Sequence, residues 1–206
     1  MIRTIGRFLV ALFALVGLVA MLAALGLAWG GVGTHSPPSR LETRLSRAAR
    51  HFLIPRAARA APNPVSATSE VLADARAHFA DHCAVCHGND GRGETDFGRG
   101  LYPRVPDLTA PVTQELSDGE LFFIIEKGVR LTGMPAFGGG EHEGEEESWA
   151  LVRFIRHLPE ITPEELAEME DLNPKSREEL EQEDAIRRFL QGGEQAPPPH
   201  RHDHDH

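Results

Sequence analysis

The 206-residue chain has two cysteines, two lysines and one tyrosine. Two cysteines cannot build a disulfide framework, and both lie in Cys83-Ala84-Val85-Cys86, so they serve another purpose. With Lys127 and Lys175 as the two lysines, arginine supplies nearly all the positive charge. No stretch alternates apolar and polar residues convincingly, which removes the main argument for strands. A basic body is also lacking. Residues 61–206 hold 13 basic and 30 acidic side chains, a net of −17, which argues against nucleic acid as a partner. The length excludes a large multi-domain enzyme.

Charge of either sign is missing from Phe8 to Trp29, a run of 22 residues. As a helix it would extend about 33 Å, against a hydrocarbon core of roughly 30 Å. The apolar region of a cleaved leader is shorter, about 7–15 residues, so residues 1–34 read as a membrane anchor. Residues 35–65 form a basic and then Ala/Pro-rich linker. The first 60 residues carry eight arginines and one acid, Glu42. Arg3 and Arg7 favour a cytoplasmic N-terminus, while the six arginines after the span favour the reverse. Within 40–54, Leu41, Leu45, Ala48, Ala49, Phe52 and Leu53 recur at helical spacing among arginines. Two readings stay open there: a helix on the membrane surface, or a solvated basic linker.

Residues 66–160 read as a helical body. Ser69 is placed to cap a helix through Leu72, Ala75 and Phe79 into the cysteine pair. Ser117-Asp118-Gly119-Glu120 has capping-box spacing ahead of Leu121, Phe122, Ile124 and Ile125, with Gly128 as the stop. A third helix is expected over Glu147 to Leu158, with Trp149, Leu151, Val152, Phe154, Ile155 and Leu158 inward and Pro159 ending it. Thr162-Pro163-Glu164-Glu165 and Asn173-Pro174 resemble helix starts, so residues 161–192 are expected as two loosely packed acidic helices. Residues 193–206 are a Pro/His-rich tail. Its His200, His202, His204 and His206 alternate with Arg201, Asp203 and Asp205, a composition suited to Cu(II), Ni(II) or Zn(II), or simply a biased tail.

The chemistry lies in Cys83-Ala84-Val85-Cys86-His87. C-x-x-C-H is the attachment signature of a c-type haem: two thiols reach the vinyl groups and the next histidine ligates iron. A zinc site would need two further ligands, for which His78 and His82 are available upstream, and a dithiol redox pair would need a βαβ setting. A reversible one-electron carrier also needs a second axial ligand. Met1 and Met21 belong to the start and the span, and Met169 reads as an apolar anchor on an acidic helix. Met134 remains, in the Gly/Pro-rich loop Thr132-Gly133-Met134-Pro135, which can present a thioether to a flat ring.

Taken together, the helix entering Cys83-x-x-Cys86-His87-Gly88, the loop Asp90-Gly91-Arg92-Gly93, the run Pro103 to Thr109, Gly133-Met134-Pro135 and the final aromatic helix resemble the class I cytochrome c family over about Glu70 to Pro159. The phrase Leu116 to Ile125 is similar to periplasmic cytochromes that serve as membrane-attached subunits of dehydrogenases and oxidases. The resemblance implies an all-α haem domain with one covalent haem c, thioether-bonded by Cys83 and Cys86. It implies His87 as proximal and Met134 as distal iron ligand, the Pro106 carbonyl accepting from the His87 ring, and Leu108 on the haem face. It further implies that Phe79 meets Trp149 or Phe154, and it offers Arg99, Tyr102 and Arg104 to the haem propionates. The acidic insertion Gly138 to Glu147 departs from the pattern and is expected near the haem edge, where it would suit a basic partner or an apolar rim.

The expected function is therefore that of a membrane-tethered monohaem cytochrome. It would pass single electrons between a respiratory or dehydrogenase donor and an acceptor, as a redox-protein partner or within an oxidoreductase complex. The inner membrane would hold it by one span, with the haem domain in the periplasm. Two alternatives are a haem enzyme with a displaceable Met134 and a metal-handling protein that uses the histidine tail.

Overall fold

The computed structural model describes residues 2–30, 33–34, 36–139 and 144–191. Among the described residues every regular element is helical. The histidine tail and positions 140–143 of the acidic insertion lie outside them.

Helix α1 covers Ile2–Gly30 and is long and apolar enough over Thr4–Gly26 to cross a membrane. Helix α2, Arg40–Leu53, starts on a capping box in which the Ser39 hydroxyl accepts from the Glu42 N–H and the Glu42 carboxylate accepts from the Ser39 N–H. A single turn, α3, covers Arg56–Arg59. Helix α4, Ser69–His78, is capped by the Thr68 hydroxyl, which accepts from Val71 N–H, one residue earlier than expected. It continues through a π-helical turn, Phe79–Cys83, into the short α5, Ala84–His87.

Then follow α6, Asp96–Gly100, α7, Pro111–Gln114, and α8, Asp118–Lys127. The expected Ser117/Glu120 capping box starts α8, and Gly128 ends it at φ 63°, a backbone conformation that glycine adopts without steric cost. Helix α9, Glu145–His157, passes into a 3₁₀ turn over Leu158–Glu160 around Pro159.

The core lies where α4 and its π turn cross α9. The Phe79 and Phe154 rings meet with centroids 5.2 Å apart, and both are fully buried. Of the two partners expected for Phe79, Phe154 is the one it meets. Trp149 stacks instead on Phe122 of α8, with centroids 4.0 Å apart and planes 8° from parallel. Leu151, Val152, Ile155 and Leu158 are buried with them, so the apolar face of α9 packs as its periodicity dictates. Arg156 pins the end of α9 to the start of α8: its Nε donates to Asp118 at 2.9 Å and its guanidinium also donates to the Gln114 and Leu116 carbonyls.

The two acidic helices differ from each other. Helix α10, Pro163–Leu172, starts where expected, on a Thr162/Glu165 capping box, and its Met169 is completely buried in the core instead of loosely packed. Arg76 of α4 pairs with Glu165 at 2.9 Å and with Glu168, and His157 Nε2 lies 2.9 Å from Glu165. Burial pulls the Glu165 carboxyl upward, but the Thr162 N–H and His157 outweigh it and hold the group below its ordinary value. Helix α11, Arg177–Leu190, starts from Ser176 and not at Asn173-Pro174, and leaves Leu180, Ile186, Phe189 and Leu190 exposed.

The Ala/Pro stretch between α2 and α4 is folded onto the body. Ser117 Oγ donates to the Arg59 carbonyl at 2.8 Å, Asn63 Nδ2 donates to the Trp149 carbonyl at 3.0 Å, and Arg153 Nε donates to the Val65 carbonyl at 2.7 Å. Proline-rich chain has no regular bonds of its own to satisfy, so side chains of α8 and α9 bind its free carbonyls instead. The approach is closest at Gly119, where a Cβ would stand 1.9 Å from the Ala58 carbonyl oxygen. In an ordinary helix Gly→Ala stabilises by roughly 0.5–1 kcal/mol. Here Gly119→Ala should lower the melting temperature and expose the amides of residues 56–65 to hydrogen exchange; a rise in melting temperature would contradict this packing.

Candidate functional site

The C-x-x-C-H segment is set by its neighbours' backbone. The Thr95 hydroxyl donates to the carbonyls of Val85 and Cys86 at 2.9 and 3.1 Å, and the Gly93 N–H donates to the His87 carbonyl at 2.7 Å. Helix α6 lies so close that a Cβ on Gly98 would be 2.5 Å from the Cys86 carbonyl oxygen. Thus the loop Asp90 to Gly93 and the cap of α6, neither of which carries reactive chemistry, hold the orientation of the three residues that do.

Cys83 and Cys86 are free thiols, both partly buried. Burial, with a smaller contribution from Cys86, raises the Cys83 thiol to about 12, and burial raises Cys86 as well. Both are neutral S–H groups at ordinary pH, a poor state for a thiolate metal ligand or a dithiol nucleophile. His78 and His82, the other ligands a zinc reading would draw on, pair with Glu147 at 3.6 Å and Asp81 at 3.0 Å.

Burial lowers the His87 imidazole to about 4, and the Pro106 carbonyl works in the opposite direction. The ring is therefore neutral, the form that ligates metals. His87 Nδ1 is buried and falls short of a formed hydrogen bond, although the Pro106 carbonyl acts on it. Its other nitrogen, Nε2, makes no hydrogen bond among the described residues. A neutral histidine with one nitrogen turned to a carbonyl and the other uncommitted is the arrangement of a metal-ligating imidazole.

Leu108 is buried, and its position is fixed at both ends: its N–H donates to the Gly91 carbonyl at 2.7 Å and its carbonyl accepts from Gln114 Nε2 at 2.7 Å. Gln114 Nε2 also donates to the Ile155 carbonyl at 2.9 Å, which ties the Leu108 loop to α9.

Met134 sits half-buried in the loop that leaves α8. Its N–H donates to Thr132 Oγ1 and its carbonyl accepts from Val129 N–H, each at 3.1 Å. The return strand of this loop is held by α8 itself, with Phe137 N–H donating to the Ile125 carbonyl at 3.0 Å. Leu131, just before Met134, is 92% exposed at φ 63°, a left-handed conformation that a branched side chain takes only under local constraint. Gly133 abuts Leu101, the residue that caps α6, and α6 packs on α5. This chain of contacts relates the methionine loop to the His87 segment.

The three residues offered to the propionates all lie at the surface. Arg99 pairs with Asp96 and donates to the Glu94 carbonyl at 2.7 Å, which closes its own loop, and the Tyr102 hydroxyl donates to Glu42 of α2. Arg104 is exposed. In the acidic insertion, Glu145 to Glu147 form the first turn of α9, and Glu147 faces His78 of α4.

Sequence reasoning missed Thr95, whose hydroxyl organises the C-x-x-C-H carbonyls, and Phe122 as the partner of Trp149. A Ser/Thr cap three residues before a glycine-containing turn was the available signal for Thr95.

These residues fit a covalently attached haem: two partly buried free thiols one turn apart, a histidine with an uncommitted nitrogen, and a thioether on an irregular loop. Residues 70–155 match the family model described as cytochrome c oxidase, cbb3-type, subunit III. The matched segment contains Cys83, Cys86, His87, Pro106, Leu108 and Met134 and excludes α1, α2, α3, α10 and α11. No curated protein matches the chain.

Proposed function

Residues 70–155 being a class I cytochrome c domain, we propose that the chain is a membrane-tethered monohaem electron carrier whose haem side is the periplasm. Its donor is a respiratory or dehydrogenase partner, and it works as a redox partner or as a subunit of an oxidoreductase complex. The observation that carries this reading is the half-buried His87, whose buried Nδ1 has no formed hydrogen bond and whose Nε2 is uncommitted among the described residues, directly behind two partly buried free thiols.

The bound haem supplies reversible Fe(III)/Fe(II) exchange of one electron. The chain's part is attachment and positioning. Cys83 and Cys86 would hold the haem through thioether bonds, each S–H adding across a vinyl group with no atom leaving and no oxidant needed. His87 Nε2 would ligate the iron, and the Pro106 carbonyl would keep Nδ1 protonated and raise the basicity of the ring. Met134 would be the second protein ligand, and Leu108 would lend an apolar face that excludes water. Iron held by two protein ligands would offer no open site for substrate, which separates a carrier from an enzyme.

The periplasmic side follows from the same chemistry. Covalent attachment takes place on exported, reduced cysteines, and this requirement outweighs the arginines after the span, which can be neutralised by anionic headgroups.

The purified holoprotein is expected to carry one haem per chain that survives acid–acetone extraction, measured by pyridine haemochrome. It is also expected to titrate as a single one-electron wave. Absence of covalent haem, or a two-electron wave, would defeat the reading. Added imidazole, cyanide or peroxide should leave the spectrum of a carrier nearly unchanged at concentrations that would saturate an open haem site.

A further inference from the structure

Helix α2 carries residues that electron transfer does not use. At about 100° per residue, Thr43, Arg50 and Ile54 share one side of the segment, and these are its least exposed positions, with Ile54 buried. Leu41, Leu45, Ala48 and Phe52 lie on the opposite side. All four are exposed, Phe52 by 84%. Arg44 borders that apolar side, and Arg40 and Arg47 follow on the same edge of the helix, further round toward its packed side; all three are exposed and without an ion pair among the described residues. An apolar stripe bordered by unpaired arginines is costly in water and favourable at the boundary between headgroups and acyl chains.

Two further observations say what covers it. Helix α1 ends at Gly30 and α2 begins at Arg40, so even a fully extended connection keeps α2 within about 35 Å of where α1 ends. The helix is also fastened to the haem domain through residues on either flank, off the stripe. Tyr102 donates to Glu42 near its start. Near its end, Arg59 donates to His51 Nε2 at 2.7 Å, His51 Nδ1 lies 3.4 Å from Glu120 of α8, and Ser117 Oγ holds the Arg59 carbonyl. Helix α8 is therefore gripped by this strap at its first turn and grips the Met134 loop at its last.

We propose that α2 lies in the headgroup layer of an anionic membrane, with Leu41, Leu45 and Phe52 in the interface and Arg40, Arg44 and Arg47 on lipid phosphates, and that the strap fixes the tilt of the haem domain relative to the bilayer. The proposal rests on the reading of α1 as a membrane anchor. It converts a tethered domain that would tumble on a loose linker into one that presents a constant face.

The test uses the full-length holoprotein in nanodiscs of phosphatidylcholine alone and of phosphatidylcholine with phosphatidylglycerol. Hydrogen exchange of residues 41–53 should slow at least about tenfold in the anionic discs, and the advantage should shrink as salt screens the arginines. EPR of the oxidised haem in oriented multilayers of the same lipids should show a narrow tilt distribution with phosphatidylglycerol and a broad one without it. Replacing Arg40, Arg44 and Arg47 together by glutamine should remove both effects and leave the optical spectrum unchanged. Protein retained in the discs with exchange indifferent to lipid charge would overturn the proposal alone and leave an acidic protein as the occupant of α2. A lipid effect that survives the triple variant would overturn it too. Protein washed out of the discs by carbonate would overturn the anchoring and the proposal with it.

Discussion

Met134→His is expected to lower the midpoint potential by on the order of 0.1 V, a fraction of the ~0.8 V that axial ligand sets span, with haem still covalently bound. A thioether is a weak σ-donor and favours Fe(II), whereas a second imidazole favours Fe(III). The loop around Met134 is built to allow the exchange. Its backbone is secured by Thr132, Val129 and the Phe137 to Ile125 bond, none of which involves the methionine side chain. Gly128 at φ 63° lets the chain double back so tightly that a Cβ there would stand 2.6 Å from the Pro135 carbonyl carbon. The Met134 side chain is thus presented by a frame that does not depend on it. Met134→Ala should abolish the weak near-infrared sulfur-to-iron band of the oxidised protein and make the haem accessible to cyanide. If the band survives in Met134→Ala, the ligand is another residue.

How far the sequence carried this reading depends on the range of the forces involved. The C-x-x-C-H motif is legible because covalent chemistry demands fixed spacing within one turn, and Met134 is proposed as the ligand because elimination leaves one methionine on an irregular loop. The capping box at Ser117 and the helix start at Thr162 are legible for the same reason, since their signals lie within a few residues. Long-range pairings were not. Nothing local to Ala58 or Arg59 says that their carbonyls will meet Gly119 and Ser117 some sixty positions later, so a folded strap read as a linker. The pairings of Tyr102 with Glu42 and of Arg99 with the Glu94 carbonyl were likewise not legible, because those partners become neighbours only once the chain has folded.

The acidic extension shows the same limit in a different form. Its composition, rich in glutamate with few apolar anchors, suggested two loosely held helices. That description fits α11, where no described side chain is buried, but it fails for α10 because one well-placed apolar residue is enough when the partner surface is ready. Met169 finds that surface beside the π turn that leads into Cys83, and α10 contacts that turn directly. The Asn173 amide, in the orientation that satisfies both its ends, donates to the Ala80 carbonyl at 3.1 Å and pairs with Asn89 just beyond His87. An extension outside the matched domain therefore braces the turn that leads into Cys83-x-x-Cys86-His87.

Phe154→Ala is expected to destabilise the protein by about 3–5 kcal/mol, and Met169→Ala by about 2–5 kcal/mol, while neither changes the axial ligation. Phe154 is completely buried against Phe79 at the crossing of α4 and α9, the contact that joins the two ends of the haem domain, and truncation leaves a ring-sized cavity between helices already fixed by Arg156 and Arg153. Those anchors limit how far the helices can close the gap, which places the cost toward the upper part of the range. Met169 is equally buried, but it is the one fully buried side chain of its helix, which is otherwise held by polar contacts of Glu165, Glu168 and Asn173 that can adjust, so α10 can shift and relax part of the loss. Urea titrations followed by far-ultraviolet circular dichroism would measure both values, and the near-infrared band recorded on the same samples separates packing from ligation. A Met169→Ala protein of unchanged stability that had lost the band would reverse the roles given to the two methionines. A stability loss of several kcal/mol with the band intact places Met169 in the core and leaves the iron to Met134.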